Sequence, residues 1–220
     1  VATAVVPISA GRHIYKREPS FPIAVACDPA FNFVYEANIR YLHHLGEVTY
    51  FSPLADTSLP DAGFVYLPGG YPELYLAALS ANRPMLQSIR RYVESGGKLL
   101  AECGGMMYLC DEIRDKNGDV YPMAGVLHQS ATMENMKLRL GYRTLLYNDA
   151  RLKGHEFHYS RLVEQQDPLP SCAVAYTAKG VETDTPLYHY KNVWAGYTHL
   201  YWADPVGNEW FTKFVIDGNT

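Results

Sequence analysis

A cysteine stands at the junction of two predicted elements, in the segment Lys-Leu-Leu-Ala-Glu-Cys-Gly-Gly-Met-Met at residues 98–107. The apolar residues before Cys103 predict a buried strand, the two glycines after it predict a sharp turn, and residues 106–110 predict the start of a helix. A thiol on such a turn is held outward, and a helix N-terminus lowers the pKa of a thiol. Cys103 therefore has the setting of a nucleophile, and an inert buried cysteine is an equally good interpretation of this segment alone.

A cysteine nucleophile needs a base, and three of the eight histidines suit that role. His199 follows an apolar strand and precedes a turn, so it can lie beside Cys103 at the carboxyl ends of two strands. His155 and His158 form a His-x-x-His motif that also suggests a metal site. Residues three apart on a strand point to opposite faces, however, so these two histidines are not expected to hold one ion.

The elements that must position these residues follow an alternating pattern in the first half of the chain. Strands are predicted at 22–27, 47–51, 63–67 and 98–102, and helices at 35–45 and 84–94. After about residue 120 the pattern changes to short strands at 138–146, 155–163, 172–177 and 187–197, with a closing helix at 204–214. This order predicts an α/β fold with a mostly parallel central sheet flanked by helices, and a β-rich C-terminal half. Loops 68–73 and 103–105 then lie at the edge of the sheet where sites form.

Composition narrows the class of protein. Hydrophobic residues make up 48% of the 220 residues and charged residues 19%, which is typical of a globular domain. The net charge is −4 without a long basic run, which argues against nucleic-acid and membrane-surface binding. No apolar stretch has the length of a membrane span. The four cysteines lack the spacing of a disulfide scaffold or a zinc site, so a reducing cytoplasm is the expected compartment.

Several separate motifs carry a resemblance to a known family. They are Leu-Pro-Gly-Gly-Tyr-Pro-Glu at 67–73, Ala-Glu-Cys-Gly-Gly-Met-Met-Tyr-Leu at 101–109, Gly-Tyr-Arg at 141–143, Gly-His-Glu-Phe-His-Tyr-Ser at 154–160, and the shorter segments at 30–33 and 51–54. In this order and spacing they resemble the glutamine amidotransferase domain of cobyrinic acid a,c-diamide synthase, of the class I glutaminase superfamily. The resemblance runs from about Ile23 to the C-terminus. Cobyric acid synthase and the peptidoglycan-amidating glutaminase subunits are close relatives.

The resemblance implies a mechanism for the cysteine. The Cys103 thiolate attacks the side-chain amide of glutamine, and His199 takes the thiol proton and later passes a proton to the departing ammonia. The backbone amides of Gly104 and Gly70 match the family's oxyanion positions. The ammonia then amidates the a and c carboxylates of cobyrinic acid in a separate ATP-dependent synthetase domain.

The sequence departs from the superfamily pattern at two positions. Class I glutaminases usually carry His-Pro-Glu, whose Glu orients the histidine, but Tyr201 stands in the place of that Glu. Glu156 and Asp28 are the two candidates to replace it. Many relatives also carry a Gln shortly after the nucleophile, where this chain has Met107. Arg143 is the candidate to hold the carboxylate of glutamine, since a guanidinium binds a carboxylate through two hydrogen bonds.

The resemblance also implies that glutamine hydrolysis and ATP-dependent amidation take place in separate domains. Residues 1–20 are interpreted as a linker or remnant of an absent N-terminal synthetase domain, and residues 21–220 as the glutamine amidotransferase domain. No phosphate-binding Gly-x-x-x-x-Gly-Lys-Ser/Thr motif occurs, so ATP and Mg²⁺ are expected only in that absent domain, and no metal site is expected here. The expected partners are glutamine, the synthetase domain and a second copy of the chain. Three alternatives stay open: the glutaminase domain of a related amidoligase of the cobyric acid synthase or peptidoglycan-amidating type, a non-catalytic interface domain with the same fold, and another cysteine hydrolase with a similar elbow.

Overall fold

The computed structural model describes residues 21–166 and 168–217, so the interpretation of residues 1–20 falls outside the described residues. The helices are α1 (Glu36–Leu45), α2 (Leu76–Ala81), α3 (Arg83–Glu94), α4 (Gly104–Leu109) and α5 (Pro205–Thr212), with a 3-10 turn at Pro72–Leu74 and a π-helical turn at Lys213–Asp217. The strands are β1 (Phe21–Ala26), β2 (Gly46–Phe51), β3 (Phe64–Leu67), β4 (Lys98–Glu102), β5 (Glu112–Arg114), β6 (Val120–Pro122), β7 (Ser130–Thr132), β8 (Arg139–Tyr147), β9 (Ala150–His158), β10 (Arg161–Leu162), β11 (Val174–Thr177), β12 (Glu182–Thr183), β13 (Leu187–Tyr190), β14 (Val193–Gly196) and β15 (His199–Leu200).

The central sheet has six strands in the order β13-β14-β4-β3-β1-β2. The strands from β14 to β2 are parallel, and β13 pairs antiparallel at the edge. Both faces of the sheet are buried, because alternate residues of β4 enter two different hydrophobic clusters. Leu99 and Ala101 pack with α3, and Leu100 packs on the side of Trp210 and Phe211 from α5. The predicted parallel sheet flanked by helices is therefore confirmed.

The C-terminal half is rich in strands, as predicted. A five-stranded sheet has the order β12-β11-β8-β9-β15, and its centre is the long antiparallel hairpin of β8 and β9. A smaller sheet has the order β10-β7-β5-β6. The predicted strand at 187–197 is in fact two strands, because the backbone turns back at Lys191, whose φ is 52°. The second of these strands, β14, pairs with β4 in the central sheet.

These sheets bring distant segments to one edge of the domain. Because β14 runs parallel to β4 with Gly196 opposite Glu102, the chain that follows β14 emerges next to the end of β4. That chain forms β15, which pairs with β9 and places His199 opposite His155. The loop after β3 lies at the same edge, since β3 is the other parallel neighbour of β4. Among the described helices, none has the length and apolar character to cross a membrane.

Candidate active site

Cys103 occupies the sharp turn between β4 and α4. Its φ of 49° and ψ of −106° are strained for a residue with a side chain, and they direct the chain from the strand straight into the helix. The backbone amide of Cys103 donates to the carbonyl of Gly196 at 2.7 Å, which anchors the turn to β14. The residue is only 5% exposed. The sequence interpretation of a strand, a sharp turn and a helix agrees with this geometry, although α4 begins two residues earlier than predicted.

The two glycine loops pack against each other because they lack side chains. A Cβ atom on Gly104 would lie 2.7 Å from Cδ of Pro72 and 3.2 Å from the backbone nitrogen of Gly70. A Cβ atom on Gly70 would lie 2.1 Å from the carbonyl oxygen of Ala30, which is backbone and cannot move aside cheaply. The backbone amides of Gly70 and Gly104 are therefore neighbours beside the thiol, an arrangement that can stabilise an oxyanion.

His199 is held in place from several directions. It is 2% exposed, and its ring centroid lies 4.3 Å from that of Phe33. A Cβ atom on Gly69 would lie 2.1 Å from its Cε1 atom, so the imidazole packs directly on the backbone of Gly69. The buried amide of Asn38 donates to the carbonyl of Leu200 at 2.8 Å and accepts from the amide of Trp202 at 2.9 Å. These bonds fix the segment that carries the histidine.

Cys103 and His199 line one cavity, together with Phe33, Gly70, Tyr71 and Phe157. The thiol also borders an adjoining cavity, whose wall is formed by Gly70, Tyr71, Glu73, Met107, Phe157, His158, Tyr159 and Ser160. The structure thus brings together four of the five residues singled out from the sequence: Cys103, His199, Gly70 and Gly104.

Burial keeps both reacting groups neutral in the free domain. Burial, followed by the charge of Glu73, raises the pKa of the Cys103 thiol to about 12, against the smaller lowering effect of a hydrogen bond from the Gly104 amide. Burial, followed by the neighbouring His155 and His158, lowers the pKa of His199 to about 3. At neutral pH the pair is therefore a thiol and a neutral imidazole, so the thiolate must form as the reaction proceeds.

Arg143 lies apart from the thiol. Its Nε atom is 2.5 Å from Oε2 of Glu156, and its side chain is 10% exposed. Oε1 of Glu156 is 2.9 Å from Nε2 of His158. Burial alone would raise the pKa of Glu156, but His158 and Arg143 outweigh burial and hold it below its ordinary value. These residues form a buried ionic network that borders a cavity of about 290 Å³, which also shares His158 and Ser160 with the cavity at the thiol.

Neither carboxylate proposed to orient His199 is in contact with it. Glu156 is occupied by Arg143 and His158. Asp28 accepts from the amides of Ala30 and Phe31 at 2.8 and 3.1 Å and from Oγ of Ser52 at 2.8 Å, so it stabilises the loop after β1. The side chain of Tyr201 is 38% exposed and meets the ring of Tyr35 edge to face.

Two glutamates that the sequence reasoning left without a role lie at the site. Glu102 is 1% exposed, and its Oε2 atom is 4.0 Å from Nδ1 of His199. Glu73 lines the cavity at the thiol, and its carboxylate has no partner among the described residues beyond its own backbone amide. An ionisable residue at the end of an apolar strand, directly before the candidate nucleophile, is the signal that could have identified Glu102.

Within residues 21–166 and 168–217, no group of three or more His, Cys, Asp or Glu side chains could hold a metal ion. His155 and His158 both lie on β9, with His155 stacked over Phe33 and His158 hydrogen-bonded to Glu156. The two rings therefore face different surroundings, as the strand geometry predicts.

Curated relatives are synthases that are longer than this chain. The hydrogenobyrinate a,c-diamide synthase of Pseudomonas aeruginosa is 40% identical over 185 residues, which are 81% of this chain and 41% of the relative. The cobyrinate a,c-diamide synthase of Fusobacterium nucleatum is 41% identical over 185 residues, again 81% of this chain and 41% of the relative. The chain thus spans well under half the length of these relatives.

Solved structures share the fold at low sequence identity. A chain of PurLQS from Thermotoga maritima superposes with a TM-score of 0.56 at 17% identity, covering 90% of this chain and 96% of the other. A glutamine amidotransferase from the same organism superposes with a TM-score of 0.53 at 12% identity, covering 90% and 83%. Residues 22–206 match the family of CobB/CobQ-like glutamine amidotransferase domains. The chain belongs to this family of glutamine amidotransferase domains.

Proposed function

We propose that this domain hydrolyses the side-chain amide of glutamine and releases ammonia. The observation that carries the proposal is the cavity shared by Cys103 and His199, with the thiol on a strained turn. The backbone amides of Gly70 and Gly104 are neighbours beside the thiol. A nucleophile, a base and two donors for an oxyanion are the groups that acyl transfer from an amide requires.

The proposed hydrolysis has two stages, in which Cys103 is first acylated by glutamine and then released by water. The thiol passes its proton to His199 as the sulfur bonds to the amide carbon, and the amides of Gly70 and Gly104 stabilise the resulting oxyanion. His199 returns the proton to the amide nitrogen, the carbon–nitrogen bond breaks, and ammonia leaves a glutamyl thioester on Cys103. Water then attacks the thioester carbon and passes a proton to the same imidazole. The carbon–sulfur bond breaks as His199 returns that proton to the sulfur, which frees glutamate and regenerates the Cys103 thiol.

Glu73 is our candidate for the α-ammonium group of glutamine. Its carboxylate faces the cavity at the thiol and lacks a cation among the described residues. Its charge raises the pKa of Cys103, second only to burial. A bound ammonium group would compensate that charge and so favour the thiolate when substrate is present. Arg143, which the sequence suggested for the other end of glutamine, is engaged by Glu156 instead.

The destination of the ammonia is proposed from the relatives. Their names specify a,c-diamide synthesis on cobyrinate or hydrogenobyrinate, and the matched region covers 41% of each. We propose that an ATP-dependent synthetase domain uses the ammonia to amidate the a and c carboxylates of such an acceptor. ATP and Mg²⁺ would bind to that domain.

A continuous aromatic surface suggests where the synthetase domain docks. This aromatic face consists of Phe33, Tyr35, Tyr142, His155, Phe157, Tyr159 and Tyr201, with successive ring centroids 5.7 to 6.5 Å apart. It borders the cavity that Cys103 and His199 share, because Phe33 and Phe157 also line that cavity. Tyr142 is 72% exposed and the neighbouring Leu140 is 56% exposed, an unusual exposure for such side chains. A synthetase domain that covers this face would shield these rings and receive the ammonia directly.

The proposal is tested by measuring glutamate release from glutamine by the whole protein, with ATP and the acceptor supplied. We expect Cys103→Ser to abolish release and His199→Ala to lower kcat by about 10²- to 10⁴-fold, the usual contribution of a general acid–base group. If both variants retain the wild-type rate, the domain is not the glutaminase, and the interface role becomes the better interpretation.

A further inference from the structure

The imidazole of His199 has a buried ring nitrogen that lacks a hydrogen-bond partner among the described residues. Its Nδ1 atom is buried and makes no hydrogen bond within the described residues. A buried donor or acceptor of this kind is costly unless a partner comes within reach during function. The residue two positions later, Tyr201, is no such partner, because it lies at the surface against Tyr35.

Glu102 is the ionisable side chain that faces this nitrogen. Its Oε2 atom lies 4.0 Å from Nδ1 of His199, and both side chains are almost completely buried. Two donors hold the carboxylate in place: the hydroxyl of Tyr66 donates to Oε2 at 2.7 Å, and the amide of Leu200 donates to Oε1 at 3.0 Å. The second of these bonds links the carboxylate to the backbone of the residue next to His199.

The other carboxylates near the site either have partners or line a cavity that does not include His199. Glu156 binds His158 and Arg143, and Asp28 binds backbone amides of its own loop. Glu73 is on the wall of the neighbouring cavity, which does not include His199. Among the described residues, Glu102 is thus the carboxylate that lies within 4.0 Å of Nδ1 of His199.

We propose that Glu102 is the positioning carboxylate of His199, supplied by the strand that leads into the nucleophile. This inference rests on the proposed glutaminase function. Nδ1–H of His199 would donate to Oε2 of Glu102, which leaves the Nε2 lone pair free for the thiol proton. The observed 4.0 Å separation is longer than a hydrogen bond, so the proposed bond requires the ring and the carboxylate to approach each other by about 1 Å. Hydrogen bonds of this kind are often long in free enzymes and shorten when substrate binds.

The electrostatics of the pair support this role. Burial raises the pKa of Glu102 to about 8, although the bonds from Tyr66 and Leu200 lower it. Burial also lowers the pKa of His199 to about 3. Each charge alone is therefore disfavoured at this position, and the proposed role belongs to the ionised form of Glu102, whose fraction increases as the pH rises through about 8. When the thiol proton arrives on His199, the imidazolium and the carboxylate compensate each other at close range, so the ion pair is favoured at the moment when the thiolate attacks.

The test compares Glu102→Gln with Tyr66→Phe in the whole protein, by glutamate release. Glu102→Gln keeps the shape, but its amide N–H can donate to Nδ1 and favour the wrong tautomer. We expect kcat to fall by about 10²-fold or more with KM changed by less than about threefold. Tyr66→Phe removes one of the two bonds that hold the same carboxylate and leaves the carboxylate itself in place, so kcat should fall by a clearly smaller factor than in Glu102→Gln. Equal losses in both variants would indicate a structural role and overturn the proposal, as would a wild-type kcat in Glu102→Gln.

A measurement on the unaltered protein keeps the proposal testable if Glu102→Gln fails to fold. The ¹⁵N resonances of His199, in protein labelled at histidine, report which nitrogen carries the proton. At about pH 9, above the pKa of Glu102, we expect protonation at Nδ1 of His199, and protonation at Nε2 would overturn the proposal. If instead Cys103→Ser and His199→Ala leave glutamate release unchanged, the proposed function itself fails, whatever the tautomer.

Discussion

The reacting residues are more deeply buried than the motifs alone suggested. Sequence reasoning expected a thiol activated by the N-terminus of a helix, and α4 does begin at the next residue, Gly104. Burial outweighs that effect, since the pKa of Cys103 rises to about 12. The difference arises because the apolar walls from Met106 and Met107 and the charge of Glu73 belong to the folded site, and a linear motif does not reveal them.

The high pKa of the thiol predicts its reactivity in the absence of substrate. At pH 7 only about 10⁻⁵ of a thiol with a pKa of about 12 is thiolate, so alkylation of Cys103 by iodoacetamide should be slow. The rate should rise about tenfold per pH unit from pH 6 to pH 10 without a plateau. Mass spectrometry of the Cys103 peptide measures this rate, with the exposed Cys27 in the same sample as an internal control. A plateau near neutral pH would show that the thiol is already activated.

The role of Glu73 predicts a change in substrate binding. Glu73→Gln should raise the KM for glutamine by about tenfold or more, because a hydrogen bond to a charged group contributes about 1.5–3 kcal/mol. The kcat should change by much less. Steady-state glutaminase kinetics measure both values, and Glu209→Gln, an exposed glutamate in α5, serves as the matched control. An unchanged KM would remove Glu73 from the substrate site.

At the scale of elements, sequence patterns were informative where they were long and periodic. The predicted strands at 22–27, 63–67 and 98–102 and the helices at 35–45 and 84–94 match β1, β3, β4, α1 and α3 within two residues. Amphipathic spacing in α3 and continuous apolar runs in the parallel strands explain this success. The turn at Lys191 carried no Gly or Pro signal, so β13 and β14 were predicted as one strand. The pairing of β15 with β9 depends on contacts between distant segments, which a single sequence does not show.

The packing of the loop after β3 predicts a local effect of a single methyl group. Gly69→Ala would place its Cβ atom about 2.1 Å from Cε1 of His199, so the imidazole must shift. Displacement of a catalytic group by about 1 Å can cost about 10²-fold in rate. Gly180→Ala is the control, because its Cβ atom meets nothing within 4 Å and its positive φ costs only about 1 kcal/mol of stability. Glutaminase assays and thermal denaturation of both variants separate activity from stability, and equal activities would contradict the proposed packing.

The whole molecule presents its candidate active site and its aromatic face in the same direction. Cys103, His199 and Gly70 line one cavity, and Gly104 packs next to Gly70. Arg143 belongs instead to a buried ionic network with Glu156. The sequence could identify the reacting residues because their types and spacing are specific. It could not identify the aromatic face, because Phe33, Tyr142 and Tyr201 come from segments far apart in the chain.

The proposed docking surface predicts uncoupling of the two activities. Tyr142→Asp should weaken contact with the synthetase domain, so amidation with glutamine should fall by at least about tenfold, because burial of a large aromatic side chain at an interface contributes about 2 kcal/mol or more. Amidation with added ammonium salt should stay at the wild-type rate. Val120→Asp, which changes a side chain that is 51% exposed on the smaller four-stranded sheet, is the matched control. If Tyr142→Asp lowers amidation with both glutamine and ammonium salt, or with neither of them, docking at this face is contradicted.

The most direct test of the central claim is covalent labelling of the nucleophile. The whole protein, with ATP and acceptor present, is incubated with a diazo-ketone analogue of glutamine, and the adduct is mapped by peptide mass spectrometry. We predict one adduct on Cys103 that excess glutamine prevents and that is absent in Cys103→Ser. An unlabelled protein, or an adduct at another residue that persists in Cys103→Ser, would contradict the assignment of Cys103 as the nucleophile that releases ammonia from glutamine.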